Sequence, residues 1–236
     1  MDKKQIKTRE RVRNHGEVFT AEREVKAMCD LVKDETERID SRFLEPACGD
    51  GNFLAEILER KLNVVKKRYS KSKTDYEKNA FIAISSLYGV DILIDTVFKC
   101  RDRLLNILLS QYKKIYKTSL DDELLKSIQF LLSRNIVLGN ALSMLCVDEK
   151  GIDTNEPIIF SEWSFVNELV KRRDFRFDVL LKENPDEEMY SSQLSLFDDD
   201  ADNYEYWMID PLTKEPIPKP VKEFELIDYR RVYQYE

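Results

Sequence analysis

The chain is predicted to fold as an α/β domain in which short parallel strands alternate with helices. Three observations carry this prediction. A segment with two glycines joins the apolar strand Phe43–Glu45 to a helical pattern that begins near Asn52. Short apolar strand patterns recur at residues 88–91, 135–138 and 177–181. Helical patterns fill the intervals between the earlier strands, and this alternation is typical of a parallel sheet with right-handed crossovers.

The remaining elements follow from the same spacing of apolar residues. The polar start of the chain ends at Thr20, a favourable N-cap for a helix over about 21–33. Beyond residue 183 the chain is acidic and then rich in proline and aromatic residues, which favours loops over helices. The other predicted elements are helices over about 52–68, 75–87, 93–113 and 120–133, and a short strand at 157–160 outside the alternation.

Length and composition fit one domain with an appendage. The chain has 236 residues, 42% of them hydrophobic, which is enough for a sizeable core. We expect a domain over 1–185, opened by a helical lead-in over 1–34, and a C-terminal segment over 186–236. No apolar run reaches membrane-spanning length, and the N-terminus lacks the pattern of a signal peptide. The four cysteines are widely spaced, which predicts neither zinc nor disulfides and favours a reduced cytoplasmic protein.

The charge distribution bears on nucleic-acid partners. The net charge of −7 argues against a nonspecific nucleic-acid coat. Basic residues nevertheless concentrate over 3–13 and 60–78, whereas 183–205 is acidic. A basic run is more often a solvated helix face than a phosphate contact, so both interpretations of these runs stay open.

The most informative segment is residues 43–54, which read FLEPACGDGNFL. Strand, glycine turn and helix is the arrangement that holds a nucleotide-like ligand at the carboxyl end of a parallel strand. Gly49 and Gly51 have no Cβ, so the backbone there can turn sharply and approach a ligand closely. The helix that begins near Asn52 offers unpaired N–H groups at the same place. The alternative is an ordinary strand-to-helix turn.

This string resembles motif I of the S-adenosylmethionine (SAM)-dependent methyltransferases, particularly the D/E-P-A-C-G-x-G-x-F-L form of the N6-adenine DNA methyltransferases. The resemblance implies a Rossmann-like class I methyltransferase fold, with a mostly parallel sheet and helices on both faces. It implies SAM as cofactor, DNA as partner, and a restriction-modification setting with γ-type motif order. In the motif, Glu45 would lie near the methionine amino group of SAM, and Ala47, Gly49 and Gly51 would form the loop around it.

Further cofactor residues follow along the chain. Asp91 ends the second strand, where a carboxylate can accept two hydrogen bonds from ribose hydroxyls. It resembles the family's motif II, and Ile92 would then lie against adenine. Asn140 follows the third strand, where the family usually has an Asp that binds the adenine amino group; the alternative is a turn or cap role. Residues 15–20 resemble motif X, which implies cofactor contacts for Phe19 and Thr20. No residue pattern suggests a metal site.

The catalytic motif is incomplete. N6-adenine methyltransferases carry N/D-P-P-Y/F directly after the fourth strand, where it binds the target amine and stacks on the flipped base. After residues 177–181, this chain has Asn184-Pro185 one residue late, followed by two acids in place of the second proline and the aromatic residue. The resemblance therefore implies catalytic roles for Asn184 and Pro185 in a degenerate motif. Asp210-Pro211 is a second partial match to this motif, which we interpret as a chance similarity without a catalytic role.

Three functions remain open on the sequence alone. The first is a SAM-dependent DNA adenine methyltransferase. The second is a non-catalytic or partner-dependent SAM-binding module, such as one subunit of a split enzyme whose protein partner supplies target recognition. The third is a methyltransferase for a non-DNA acceptor. The family's later catalytic strands and target-recognition region have no evident counterpart in this chain, which keeps the second alternative in view.

Overall fold

The computed structural model describes residues 20–182 and 206–235 of the chain. The helices and strands predicted up to residue 140 are present, with small shifts at their ends. Thr20 is not the N-cap of the first helix; the N-cap is Ala21, which makes no side-chain capping bond. In order, the elements are α1 (Glu22–Leu31), α2 (Lys33–Glu37), β1 (Phe43–Glu45), α3 (Asn52–Tyr69), α4 (Lys73–Ser85), β2 (Leu87–Asp91), α5 (Ile94–Tyr116), α6 (Asp122–Asn135) and β3 (Ile136–Asn140).

The second half differs from the prediction. Residues 157–160 are divided between two strands, and six further strands there were not predicted from the sequence. In order, the elements are β4 (Leu145–Val147), β5 (Asp153–Pro157), β6 (Ile159–Val166), β7 (Leu169–Arg176), α7 (Phe177–Leu180), β8 (Trp207–Ile209), β9 (Pro216–Pro218), β10 (Lys222–Glu223), β11 (Ile227–Asp228) and a 3₁₀-helix (Tyr229–Gln234).

The predicted fourth parallel strand at 177–181 is wrong, because this segment forms the short helix α7. The Leu181 N–H donates to the Phe177 carbonyl at 3.3 Å, which closes a helical turn. Asp178 accepts hydrogen bonds from the Arg176 guanidinium at 2.7 and 3.0 Å, and this pair fixes the change from strand β7 to helix. Phe177 and Val179 are buried in the core from this helix. A short apolar run of this kind is compatible with a helix as well as with a strand.

The main sheet has five strands in the order β1-β2-β3-β4-β5. Strands β1, β2 and β3 are parallel, whereas β4 and β5 are added antiparallel. The chain is therefore a mixed α/β protein. On one face of the sheet, Leu87 and Ile136 belong to the large core formed with the helices. On the other face, Val90 packs with Ile158, Phe160 and Phe177. In the described residues that face is covered by β6 and α7, not by a layer of long helices as expected.

A second sheet packs beside the helices. Strands β6 and β7 form a long antiparallel hairpin, and β10 and β11 pair with β7. Trp163 of β6 lies edge-on to Phe81 of α4 with ring centroids 6.2 Å apart. Tyr229 and Val232 of the 3₁₀-helix are buried in the same core. Residues 222–235 are thus packed on the helical core through this hairpin. No helix in the described part of the chain is long and apolar enough to cross a membrane.

Candidate functional site

The glycine loop lies at the carboxyl end of β1 and is tied to β2. The Cys48 N–H donates to the Val90 carbonyl at 2.9 Å, and the Gly51 N–H closes a tight turn on the Cys48 carbonyl at 2.8 Å. Gly49 and Gly51 have φ of +51° and +81°, in the region that disfavours residues with a Cβ. Ala47 is exposed, whereas Cys48 is buried. The loop therefore keeps one side open to solvent and is anchored on the other.

The two glycines have different surroundings. A Cβ on Gly51 would lie 2.6 Å from Sγ of Cys100, so helix α5 is packed directly against the loop at this residue. A Cβ on Gly49 would meet nothing within 4 Å. Gly51 is required by packing within the protein, whereas the open space beside the partly exposed Gly49 leaves room for a ligand.

Asp91 lies at the end of β2 and is already engaged by the loop. Its Oδ2 accepts the Gly49 N–H at 2.8 Å, and its Oδ1 accepts the Leu93 N–H at 2.9 Å. The Thr96 hydroxyl lies 2.7 Å from the same Oδ1. A carboxylate offers about four acceptor positions. One position on Oδ2 therefore remains for a ligand, and a second ligand bond there requires the Gly49 N–H to move.

The amino end of α3 presents unpaired donors beside the loop. Gly51 is the N-cap and has no side chain to cap the helix, and its carbonyl accepts the Ala55 N–H at 2.9 Å. No described residue accepts a hydrogen bond from the N–H of Asn52 or Phe53. These N–H groups and the helix dipole favour an anionic or hydroxyl oxygen at this place.

Arg103 of α5 orders the outer side of the loop. Its Nη1 donates to Asn52 Oδ1 at 2.6 Å and lies 3.6 Å from the Asp50 carboxylate. Neither Arg103 nor Thr96 was predicted from the sequence. Thr96 lies in the first turn of α5, next to the end of β2, whereas Arg103 lies two turns further along the helix and reaches the loop with its long side chain.

Glu45 is a half-buried carboxylate without a partner. It is partly exposed at the end of β1, and no described residue makes a hydrogen bond or ion pair with it. Burial raises the pKa of this carboxyl, because the charged form is disfavoured away from water. An unpaired carboxylate beside an open loop is suited to a cationic group such as an ammonium.

The remaining predicted cofactor residues lie at the same edge of the sheet. Asn140 Oδ1 accepts the Leu142 N–H at 3.0 Å and its Nδ2 donates to Asp153 at 3.0 Å, so its amide stabilises the turn after β3. Ile92 is partly buried, and its carbonyl lies next to Gly151 of the β4–β5 turn. This geometry matches the turn interpretation of Asn140, and its Oδ1 keeps a second lone pair with which it can still accept a hydrogen bond from an amino group such as that of adenine.

Several predicted residues lie outside the described part of the chain. Phe19 of the motif X segment and the catalytic candidates Asn184 and Pro185 are among them. Thr20 is described and partly buried just before α1. Asp210 caps the β8–β9 turn, since its carboxylate accepts the Leu212 N–H at 2.7 Å. Strand β8 pairs with β9 and not with β1, so the Asp210-Pro211 segment has a local turn role.

Neither a metal-binding group in the described residues nor a similarity to known proteins indicates a function for this site. The described residues contain no group of three or more His, Cys, Asp or Glu side chains arranged to hold a metal ion. Comparison with protein-family models, with curated proteins and with solved structures found no match. Function is therefore inferred from the site itself.

Proposed function

We propose that the chain binds SAM at the glycine loop and belongs functionally with the N6-adenine DNA methyltransferases, on a Rossmann-like methyltransferase fold. The observation that carries this proposal is the convergence, at one edge of a parallel sheet, of an open glycine loop, the unpaired carboxylate of Glu45 and the carboxylate of Asp91. Ligand sites in open α/β sheets occur at this edge.

The residues fit the parts of SAM by chemistry. Glu45 would face the methionine ammonium, and the free N–H groups of Asn52 and Phe53 would receive an anionic or hydroxyl oxygen. The open position on Asp91 Oδ2 would accept one ribose hydroxyl. When bound, SAM supplies an electrophilic methyl group on a sulfonium, for which no metal is needed.

The residues of the chain then have to position the acceptor amine. In the proposal the side-chain oxygen of Asn184 accepts a hydrogen bond from the adenine amino group, and Pro185 makes the following backbone rigid. A hydrogen bond from the amine to this oxygen helps to localise the nitrogen lone pair, which is otherwise delocalised into the ring and weakly nucleophilic.

A second candidate is a SAM-binding module that depends on a partner for methyl transfer. One specific observation favours it: residues 177–180 form a helix, so no described strand lies on the free side of β1. In this candidate the partner would supply the strand beside β1 and the catalytic motif that follows it.

The test is N6-methyladenine in genomic DNA from a methylation-deficient host that expresses this chain alone, measured by mass spectrometry. An autonomous enzyme gives a signal that Asn184→Ala abolishes. Asp102→Ala serves as a control, because Asp102 is an exposed acid of α5 that makes no hydrogen bond or ion pair with a described residue. No signal from soluble protein that binds SAM would overturn the autonomous enzyme and favour the partner-dependent module.

A further inference from the structure

Strand β1 has a free edge. It is the terminal strand of the five-stranded sheet, and no described residue pairs with its other side. The Phe43 N–H donates to the Ser86 carbonyl at 2.9 Å, on the β2 side. Because the backbone groups of successive residues in a strand point to opposite sides, the N–H and C=O of Leu44 point away from β2. An edge of this kind is a template for pairing with another strand.

A groove runs along this free edge. Its volume is about 430 Å³, and three consecutive residues, Arg42, Phe43 and Leu44, line it. Since alternate residues of a strand point to opposite faces, lining by three in succession places the groove along the edge of β1. Tyr88 and Phe160 form an aromatic part of the wall, with ring centroids 5.3 Å apart. The groove therefore offers both unpaired main-chain groups and apolar surface.

Exposed leucines extend the apolar surface of the groove. Leu44 is 39% exposed on β1, and Leu180 and Leu181 are 43% and 52% exposed at the end of α7. All three line the same groove, together with Ile217 and Pro218 of β9. Single exposed leucines are ordinary on a protein surface, but a contiguous group beside an open strand edge marks an interaction site.

The charged end of the groove has a surplus of positive charge. Glu162 forms ion pairs with both Arg42 and Arg173, the latter at 2.9 Å, so one carboxylate faces two guanidinium groups. The side chains of Arg42 and Arg173 remain 61% and 38% exposed. The Nε atom of Arg173 is buried without a hydrogen-bond partner in the described chain. An occupant with a carboxylate at this end would complete the charge balance.

The groove favours an extended segment that carries a carboxylate. Its walls on either side of β1 include Leu180 and Leu181 at the end of α7 and Ile217 and Pro218 of β9. The two guanidinium groups that share Glu162 favour an occupant with negative charge at this end. We propose that the groove binds an extended segment of a different protein, which pairs with β1, faces the leucines with apolar side chains and places a carboxylate against Arg42 and Arg173. This proposal does not rest on SAM binding.

The test uses three synthetic peptides and the full chain. The first peptide alternates valine and threonine and has an aspartate at one end. The second has lysine in place of that aspartate. The third has the sequence of the first, with every second backbone amide N-methylated. Backbone-amide NMR follows Leu44 during each titration. We expect the first peptide to shift the Leu44 signal and the N-methylated peptide to leave it unchanged, since it cannot form the strand pairing.

The charge preference is tested by substitution. The aspartate peptide should bind roughly tenfold more tightly than the lysine peptide, as expected for a charge-assisted hydrogen bond. Arg173→Gln should remove this preference while the Leu44 shift remains. A SAM titration of the same samples shows separately whether the cofactor proposal holds.

Four outcomes would overturn the proposal. Absence of a Leu44 shift with the aspartate peptide excludes strand pairing at β1, and equal binding of the N-methylated peptide excludes a main-chain ladder. A dimer in light scattering that Leu44→Asp converts to monomer would make a second copy the occupant. Binding seen only after deletion of residues 183–205 would assign the groove to the chain's own segment.

Discussion

Replacing Lys61 with methionine should change how the stability of the protein depends on pH. Lys61 lies on α3 and is fully buried. Its ammonium donates to the Ser41 carbonyl and, at 2.5 Å, to Ser86 Oγ, and it lies 5.1 Å from the ring centroid of Phe43. Burial lowers the pKa of Lys61 from 10.5 to about 7, because the charged form loses its hydration.

The sign and size of the effect follow from this pKa. Between pH 7 and pH 10.5 the unfolded chain binds a proton at Lys61 that the folded chain largely lacks, so stability rises with pH across this window. At about 1.4 kcal/mol per pKa unit, the whole window corresponds to about 5 kcal/mol, of which about 2 kcal/mol falls between pH 7 and pH 9.

The assay is urea unfolding at pH 7 and pH 9 of the wild type, Lys61→Met and Lys66→Met. Lys66 is an exposed lysine of the same helix and is the matched control. The other groups that titrate are common to all three proteins. The difference between the proteins in how the unfolding free energy changes with pH therefore reports on Lys61 alone. The gain in unfolding free energy from pH 7 to pH 9 should be about 2 kcal/mol smaller for Lys61→Met than for the other two. Equal gains in all three proteins would refute the assignment of a depressed pKa to Lys61.

Three further substitutions test the packing. Gly51→Ala should lower the free energy of unfolding by about 3 kcal/mol, because its Cβ would lie 2.6 Å from Cys100 Sγ at a positive φ. Gly49→Ala should lower it by only about 1 kcal/mol, because only the positive φ disfavours a Cβ there. Equal losses in urea unfolding would contradict this account of the loop. Asn135→Leu should also cost about 3 kcal/mol, because it leaves the buried Trp163 indole N–H without its acceptor at 3.0 Å. An unchanged melting temperature would show that water replaces the amide.

The first half of the fold could be predicted because its signals are local. The strand at Phe43–Glu45, the glycine loop and the helix from Asn52 are adjacent in sequence, and long helices such as α5 repeat their apolar spacing over many turns. The site residues at the ends of β1 and β2 followed from the same order, since parallel strands bring their carboxyl ends to one edge.

The second half could not be predicted in the same way. In β7 the sequence LVKRRDFR carries charged side chains at buried positions, where Arg172 and Asp174 pair at 2.8 Å, so no apolar alternation marks the strand. The turn at Asn167, which has a positive φ, was the available signal for the hairpin. The run at 177–181 is too short for its apolar pattern to distinguish strand from helix. Likewise, the engagement of Asp91 by Gly49 depends on distance in space and not on spacing in sequence.

The central claim is that the glycine loop binds SAM, and calorimetric titration of the full chain with SAM tests it most directly. The account predicts saturable binding that Asp91→Ala weakens by about 1–3 kcal/mol, since ribose and loop groups lose an acceptor, and that Asp102→Ala leaves unchanged. The absence of saturable heat with millimolar SAM, or equal affinity in Asp91→Ala and the wild type, would contradict it.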